Sequence, residues 1–129
     1  MTQSYPILIV DDESDISKLL ARKLGDVYQV EIANNAAEAI ARFGDHPFPV
    51  VITDIRMPGI DGIALMQTLK SLHPETEVIL MSGYADHETI LDALNTQAFA
   101  FVSKPLSLPQ VQRRIEQAFA VVEAHLATG

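Results

Sequence analysis

The sequence contains no cysteine, so it offers neither a disulfide framework nor a thiolate metal site. The N-terminal residues show no basic segment followed by an apolar one, and no apolar run approaches membrane-spanning length. Linkers, repeats and low-complexity segments are absent as well. We therefore predict a cytoplasmic protein with no membrane contact, and a single domain over residues 1–129, whose 48% apolar residues suffice for a complete core.

Basic residues are also scarce, because 9 Lys and Arg face 17 Asp and Glu, for a formal net charge of −8. Non-specific binding of nucleic acid depends on Lys and Arg side chains that neutralise phosphates. The densest basic pair, Arg113-Arg114, is typical of a solvated helix face rather than of a binding patch. We predict no direct binding of nucleic acid by this chain.

What the sequence does contain is a strict alternation of short apolar runs with segments of helical spacing. This alternation predicts an α/β fold, with a parallel sheet covered by helices on both faces. The predicted strands are residues 7–10, 28–33, 50–53, 78–81 and 99–103. The predicted helices begin at Ser14 or Asp15, at Asn34-Asn35, at Asp61-Gly62, at residue 88 and at residue 108. The first, second, fourth and fifth are predicted to end at Gly25, Gly44, Asn95 and about Leu126, and the third to run through Leu69.

Charged residues follow three of the predicted strands. Asp11 and Asp12 come after the first, Asp54 after the third and Lys104 after the fifth. If these strands are neighbours, three carboxylates and one ammonium converge at one sheet edge, an arrangement that a divalent cation would stabilise. Taken singly, Asp11-Asp12 also fits a helix cap, Asp54 a turn and Lys104-Pro105 the end of a strand.

Four sequence motifs carry a resemblance that covers essentially the whole chain. They are Val10-Asp11-Asp12, the segment from Asp54-Ile55-Arg56-Met57-Pro58-Gly59 to Ile60-Asp61-Gly62, Ser82-Gly83-Tyr84 and Lys104-Pro105-Leu106. In this order and at this spacing they resemble the receiver domain of two-component response regulators. The resemblance implies a flavodoxin-like (βα)5 fold, a doubly wound parallel sheet with strand order 2-1-3-4-5.

The resemblance also implies roles for the acidic residues. Asp54 would be the phosphoacceptor, taking a phosphoryl group from a sensor histidine kinase or a histidine phosphotransfer domain. Asp11, Asp12, Asp54 and the backbone carbonyl of Arg56 would hold Mg²⁺ or Mn²⁺. Oxygen-only ligands suit these cations better than zinc.

Other residues would stabilise the phosphoryl group and change conformation when it binds. Lys104 would pair with a phosphoryl oxygen, Ser82 would be the switch hydroxyl, and the bond to Pro105 would be cis. Phe101 occupies the position of the family's aromatic switch residue, although a core or strand-edge aromatic is an equal alternative. It lacks the hydroxyl of the tyrosine that is common there, so it cannot hydrogen-bond.

Two bulky loop residues, Arg56 and Tyr84, would flank the path of attacking water and slow self-dephosphorylation. The alternative is that both are solvated side chains without kinetic effect.

The predicted output is a change in the surface formed by residues 88–95, residues 99–103 and the last helix. The partner would be a downstream protein, a linked output domain or a second copy of this chain. In the last helix Phe119, Ala120 and Val121 widen the apolar surface, either for packing within the domain or for such a contact.

Three other classes of protein fit the sequence less well than this switch, which would assist its own chemistry without being a conventional enzyme. A haloacid-dehalogenase-like phosphatase needs Asp-x-Asp after the first strand, which Asp11-Asp12-Glu13 lacks. An FMN binder would be repelled by the acidic pair. A pseudo-receiver that acts as a constitutive interaction module would not need to keep all five functional residues.

Overall fold

The computed structural model describes residues 6–57, 59–83 and 98–128. These residues form five strands and four helices, which alternate along most of the chain. The strands are β1 (Pro6–Val10), β2 (Gln29–Ala33), β3 (Val50–Asp54), β4 (Glu77–Ser82) and β5 (Ala100–Ser103). The helices are α1 (Ser14–Leu24), α2 (Ala36–Asp45), α3 (Gly62–Leu72) and α4 (Leu108–Thr128).

All five strands are parallel and lie in the order β2-β1-β3-β4-β5. This is the predicted flavodoxin-like order, with β1 and β3 side by side. The register pairs Val10 with Thr53, and Asp54 with Met81. The carboxyl ends of β1, β3 and β4 therefore meet at one edge of the sheet.

The two faces of the sheet carry separate cores because neighbouring side chains of a strand point to opposite faces. Leu8 and Val10 pack with α2 and α3, whereas Ile7 and Ile9 pack with α1 and α4. The strands β1 and β3 are buried on both faces, as their near-continuous apolar runs predict.

Two residues in the middle of α4 show which of its apolar side chains belong to this core. Phe119 is fully buried and stacks on Tyr28, with ring centroids 5.5 Å apart, so it packs within the domain. Val121 is 45% exposed.

Two of the predicted helix caps are confirmed. Asn35 accepts a hydrogen bond from the Glu38 N–H at 2.8 Å, and Asp61 accepts one from the Ala64 N–H at 2.8 Å. Such caps satisfy N–H groups that have no partner inside the helix.

Two other boundary predictions are wrong. The residue before α1 is Glu13, in place of the predicted Ser14 or Asp15, and its side chain makes no capping hydrogen bond within the described residues. Gly44 does not end α2, which continues to Asp45 because a right-handed helix accepts glycine at a modest free-energy cost.

Some predictions lie outside the described residues, namely the helix over residues 88–95 and the position of Tyr84. Within the described residues, no helix combines the length and apolarity that crossing a membrane requires.

Candidate functional site

The residues singled out by the sequence lie at the carboxyl edge of the sheet. Asp11 and Asp12 follow β1 directly, Asp54 and Ser82 are the last residues of β3 and β4, and Lys104 follows β5 directly. This edge, where the parallel strands end, is the usual position of a binding site in such folds.

The backbone fixes these positions by continuing the strand pairing one step beyond the strands. Each of three N–H groups at this edge donates to a carbonyl of the adjacent strand. The pairs are Asp11 to Ala33 at 3.1 Å, Ile55 to Met81 at 3.0 Å and Lys104 to Ser82 at 2.8 Å.

Three carboxylates form the centre of the site. Asp11, Asp12 and Asp54 each offer an oxygen, and these atoms lie within 4.8 Å of one another. Asp11 and Asp54 are buried, whereas Asp12 is exposed. The cluster is therefore open to solvent on the side of Asp12.

Asp11 is the least satisfied member of this cluster. Its Oδ1 accepts a hydrogen bond from the Glu13 N–H at 2.9 Å, but its buried Oδ2 has no partner among the described residues. Burial raises the pKa of the Asp11 carboxyl to about 6; the Glu13 N–H opposes this rise and the charge of Asp54 adds to it.

Lys104 supplies the positive charge of the site. Its Nζ donates to Asp54 Oδ2 at 2.7 Å, a charge-assisted hydrogen bond between residues fifty positions apart. Burial alone would lower the pKa of the Lys104 ammonium. The hydrogen bond and the charge of Asp54 outweigh that effect, so the pKa lies above its ordinary value. The peptide bond between Lys104 and Pro105 is cis.

The loop after β3 holds Asp54 from its other side. The Arg56 N–H donates to Asp54 Oδ1 at 3.3 Å, and the Gly62 N–H donates to the Ile55 carbonyl at 2.7 Å. Gly62 lies so close that an added Cβ would be 2.1 Å from the Asp54 carbonyl oxygen. The position therefore requires glycine for lack of space.

Three predicted residues lie around this centre, and one is not described. Ser82 is buried one residue beyond the partner of Asp54 in β4, and its Oγ donates to the Val102 carbonyl at 3.5 Å. Phe101 is partly buried against the core face of α2 and α3. Arg56 has an exposed side chain, and Tyr84 lies outside the described residues.

The residues at this edge fit a hard divalent cation. The atoms that could bind a metal are all oxygens. One of them, the buried Asp11 Oδ2, accepts no hydrogen bond within the described chain. A bound cation would give Asp11 Oδ2 a partner and would offset the repulsion between the Asp11 and Asp54 carboxylates.

Sequence reasoning missed two contacts of this site. Glu13 Oε1 lies 3.7 Å from Lys104 Nζ, and Gly62 packs on the backbone of Asp54. The tight approach of Gly62 has only a weak sequence signal, because a glycine at the start of a helix is equally compatible with an ordinary turn. The ion pair of Glu13 has no comparable signal.

Comparison with known proteins agrees with this geometry. A family model described as the response regulator receiver domain matches residues 7–116. The chain is 39% identical to the regulatory protein AtoC of Escherichia coli over 120 residues, which cover 92% of this chain and 26% of AtoC. It is 36% identical to the response regulator protein PilR of Pseudomonas aeruginosa, covering 86% of this chain and 25% of PilR. The chain thus spans about a quarter of the length of these relatives.

Solved structures show the same fold. A receiver domain protein described as CheY-like, from Methanospirillum hungatei, superimposes with a TM-score of 0.87 at 30% identity, covering 94% of this chain and 98% of that one. NtrX of Brucella abortus gives a TM-score of 0.87 at 32% identity, covering 95% of this chain and 28% of NtrX. The fold, the acidic edge and the family match lead to one conclusion: this chain belongs to the response regulator receiver domain family.

Proposed function

We propose that residues 1–129 form a single receiver domain that acts as a phosphoryl-accepting switch, with Asp54 as the acceptor. The observation that carries this proposal is the environment of the Asp54 carboxylate. It is nearly buried, it is bound by the Lys104 ammonium at 2.7 Å, and it shares one oxygen cluster with Asp11 and Asp12. A structural salt bridge would not need two further carboxylates beside it.

Asp11, Asp12, Asp54 and the backbone carbonyl of Arg56 would hold Mg²⁺ or Mn²⁺. When bound, the cation would supply positive charge that keeps the carboxylates ionised and offsets the charge of an incoming phosphoryl group. The unpartnered Oδ2 of Asp11 supports this assignment.

In the proposed reaction an Asp54 carboxylate oxygen attacks the phosphorus of a phosphohistidine. The bond from phosphorus to the histidine nitrogen breaks, and its electron pair stays on that nitrogen. The product is an acyl phosphate on Asp54. The donor is a sensor histidine kinase or a histidine phosphotransfer domain, and acetyl phosphate can take its place in the test tube.

The protein contributes position and charge more than covalent chemistry. Lys104 already bonds to the acceptor carboxylate, so its ammonium needs only a short movement to meet a phosphoryl oxygen. The Arg56 N–H orients the other oxygen of Asp54.

The phosphoryl group adds close to two negative charges at the edge of the sheet. Ser82 is suited to respond, because its hydrogen bond to Val102 is at the long limit of 3.5 Å and costs little to exchange. Movement of Ser82 and Lys104 would shift Phe101 and the predicted output surface, which the sequence assigns to residues 88–95, β5 and α4. That surface would regulate a downstream protein, a linked output domain or a second copy of this chain.

An apolar groove beside the site would receive the phosphoryl donor. It measures about 360 Å³ and adjoins Lys104. Leu19, on its wall, is 53% exposed, and together with the other apolar lining residues it forms a contiguous apolar surface of the kind that meets a partner protein. Its other apolar lining residues are Ile16, Leu20, Pro105, Leu106 and Leu108.

By the family resemblance, the lifetime of the switch would be set by Arg56 and by Tyr84, which lies outside the described residues; the bulk of both side chains would obstruct water that attacks the acyl phosphate. Replacing both with alanine should speed loss of the phosphoryl group, measured as the decay of labelled protein after the donor is removed. An unchanged half-life would contradict this role.

Labelling with radioactive acetyl phosphate in the presence of Mg²⁺ tests the proposed function. We expect label on the unmodified protein, and none on Asp54→Asn or Asp54→Ala. Asp26→Asn, which changes an exposed aspartate in the α1–β2 connection, is the matched control and should label normally. A folded but unlabelled protein would refute the switch and favour a constitutive interaction module.

A further inference from the structure

The Lys104 ammonium has two carboxylate neighbours that differ in environment. Asp54 Oδ2 lies 2.7 Å from Nζ, and the Asp54 side chain is 3% exposed. Glu13 Oε1 lies 3.7 Å from the same nitrogen, and the Glu13 side chain is 59% exposed. Lys104 is thus bound firmly to the interior of the site and loosely to its rim.

The backbone of Glu13 is held in place from two directions. Its N–H donates to Asp11 Oδ1 at 2.9 Å, and its carbonyl accepts from the Ser17 N–H at 3.2 Å, in the first turn of α1. The side chain stands at the N-cap position without making a capping bond within the described residues. It contacts Lys104 instead.

Glu13 interacts with Lys104 more weakly than Asp54 does. An ion pair of 3.7 Å is too long for a hydrogen bond, and exposure to solvent weakens it further. Such a contact changes the equilibrium between the two states of a switch by a small factor. It is therefore better suited to adjusting that equilibrium than to taking part in phosphoryl transfer.

We propose that Glu13 is a positioning residue that restrains the Lys104 ammonium in the unphosphorylated arrangement. This inference rests on the proposed function, in which Lys104 moves from the Asp54 carboxylate to a phosphoryl oxygen. The phosphoryl group must then compete with Glu13 for the ammonium. Glu13 therefore biases the switch toward its unphosphorylated state.

Beryllium fluoride, a mimic of the phosphoryl group, measures this bias when its binding is titrated at saturating Mg²⁺. Glu13→Gln keeps the size of the side chain and removes its charge, so it should tighten binding roughly twofold to fivefold, as expected for a partly exposed ion pair. Asp15→Asn removes the same charge two residues away, in the first turn of α1. It should change the affinity much less.

A second background separates the restraint from simple charge repulsion. In a Lys104→Gln protein, Glu13→Gln should lose most of its effect on beryllium fluoride affinity, because the group that it restrains is gone. An equal effect in both backgrounds, or an equal effect of Asp15→Asn, would overturn the inference in favour of general electrostatics.

A spectroscopic measurement tests the contact without metal or phosphoryl mimic. The NMR chemical shifts at the end of the Lys104 side chain in metal-free protein should change in Glu13→Gln and stay the same in Asp15→Asn. Unchanged shifts in Glu13→Gln would overturn the inference. If the unmodified protein binds no beryllium fluoride, the proposed function fails and the inference with it; if binding is normal and Glu13→Gln has no effect, the inference alone fails.

Discussion

Charged and polar side chains cluster at both the carboxyl and the amino edge of the sheet, but their hydrogen bonding differs between the two edges. At the carboxyl edge, three carboxylates lie within 4.8 Å and a buried oxygen of Asp11 lacks a hydrogen-bond partner within the described residues. At the amino edge, a second polar cluster lies between α3, β3 and β4, and its members bond to one another.

Thr76 is the centre of that amino-edge cluster. It is fully buried, and its hydroxyl donates to the Phe48 carbonyl at 2.8 Å. Its oxygen lies 3.0 Å from His73 Nδ1, and because the hydroxyl hydrogen is already used, Nδ1 must be the donor of that bond. Lys70 completes the cluster with hydrogen bonds to the carbonyls of Pro74 and Thr76, at 3.0 and 2.7 Å.

The two edges differ in whether their buried polar groups have hydrogen-bond partners among the described residues. A buried polar group with every bond made contributes to stability, whereas one left without a partner costs free energy and calls for an explanation. We interpret the amino edge as the part that holds β3 and β4 in place. We interpret the carboxyl edge as the proposed binding site, whose unsatisfied and like-charged groups cost stability.

Gly62→Ala at the carboxyl edge should be the most damaging change. The new Cβ would lie 2.1 Å from the Asp54 carbonyl oxygen, so the loop must move, at a cost of about 3 kcal/mol in the free energy of unfolding. Urea denaturation measures the loss, and phosphoryl labelling should drop as Asp54 shifts. Gly44→Ala in α2 is the control, since a Cβ added there would have no atom within 4 Å. A denaturation midpoint equal to that of the unmodified protein would contradict the steric role of Gly62.

Thr76→Val tests the amino edge with a side chain of the same shape. Loss of the hydroxyl leaves the Phe48 carbonyl and the His73 ring without their shared partner, which should lower the free energy of unfolding by about 2 kcal/mol. Phosphoryl labelling of the folded protein should stay normal. Thr68→Val, at an exposed hydroxyl bonded to the Ala64 carbonyl, serves as the control and should be near neutral. Reduced labelling of folded Thr76→Val would contradict the proposed division between the edges.

Asp11→Asn should change stability the least, and with the opposite sign. It removes a buried charge that burial and the charge of Asp54 disfavour, so metal-free protein should gain about 1 kcal/mol in unfolding free energy. Melting curves in a chelator and in excess Mg²⁺ provide the measurement. The unmodified protein should be stabilised by Mg²⁺, and the variant should respond little. Destabilisation of the metal-free variant would argue that Asp11 is a structural residue.

Sequence patterns predicted the sheet because a buried parallel strand needs a near-continuous apolar run. Residues 7–10 and 50–53 meet that condition, and the structure extends the second run by one residue, to Asp54. Asn35 and Asp61 were predictable as caps because Asn and Asp have short side chains that accept a hydrogen bond from the N–H group three residues later, as both do here. The boundaries at Glu13 and Gly44 were not predictable, because each differs from the predicted one by a residue or two, which is the usual uncertainty of helix ends.

The centre of the site was predictable for a topological reason. Charges that follow parallel strands lie at one edge of the sheet, and because β1 and β3 are neighbours, Asp11 and Asp54 meet there. β4 lies between β3 and β5, so the contact of Lys104 with Asp54 also depends on the length of the lysine side chain. The contact between Glu13 and Lys104 depends on side-chain conformation across ninety-one positions of sequence. The Thr76 cluster likewise joins Phe48 and His73, whose residue types carry no motif.

The backbone hydrogen bonds that extend the strand pairing to Asp11, Ile55 and Lys104 have a consequence for folding. Each of them requires the adjacent strand to be in register, and the bond of Lys104 requires β5, the last strand in the chain. The ammonium is therefore in place only when β5 has paired with β4. Chemical competence of Asp54 should therefore report complete folding of the sheet.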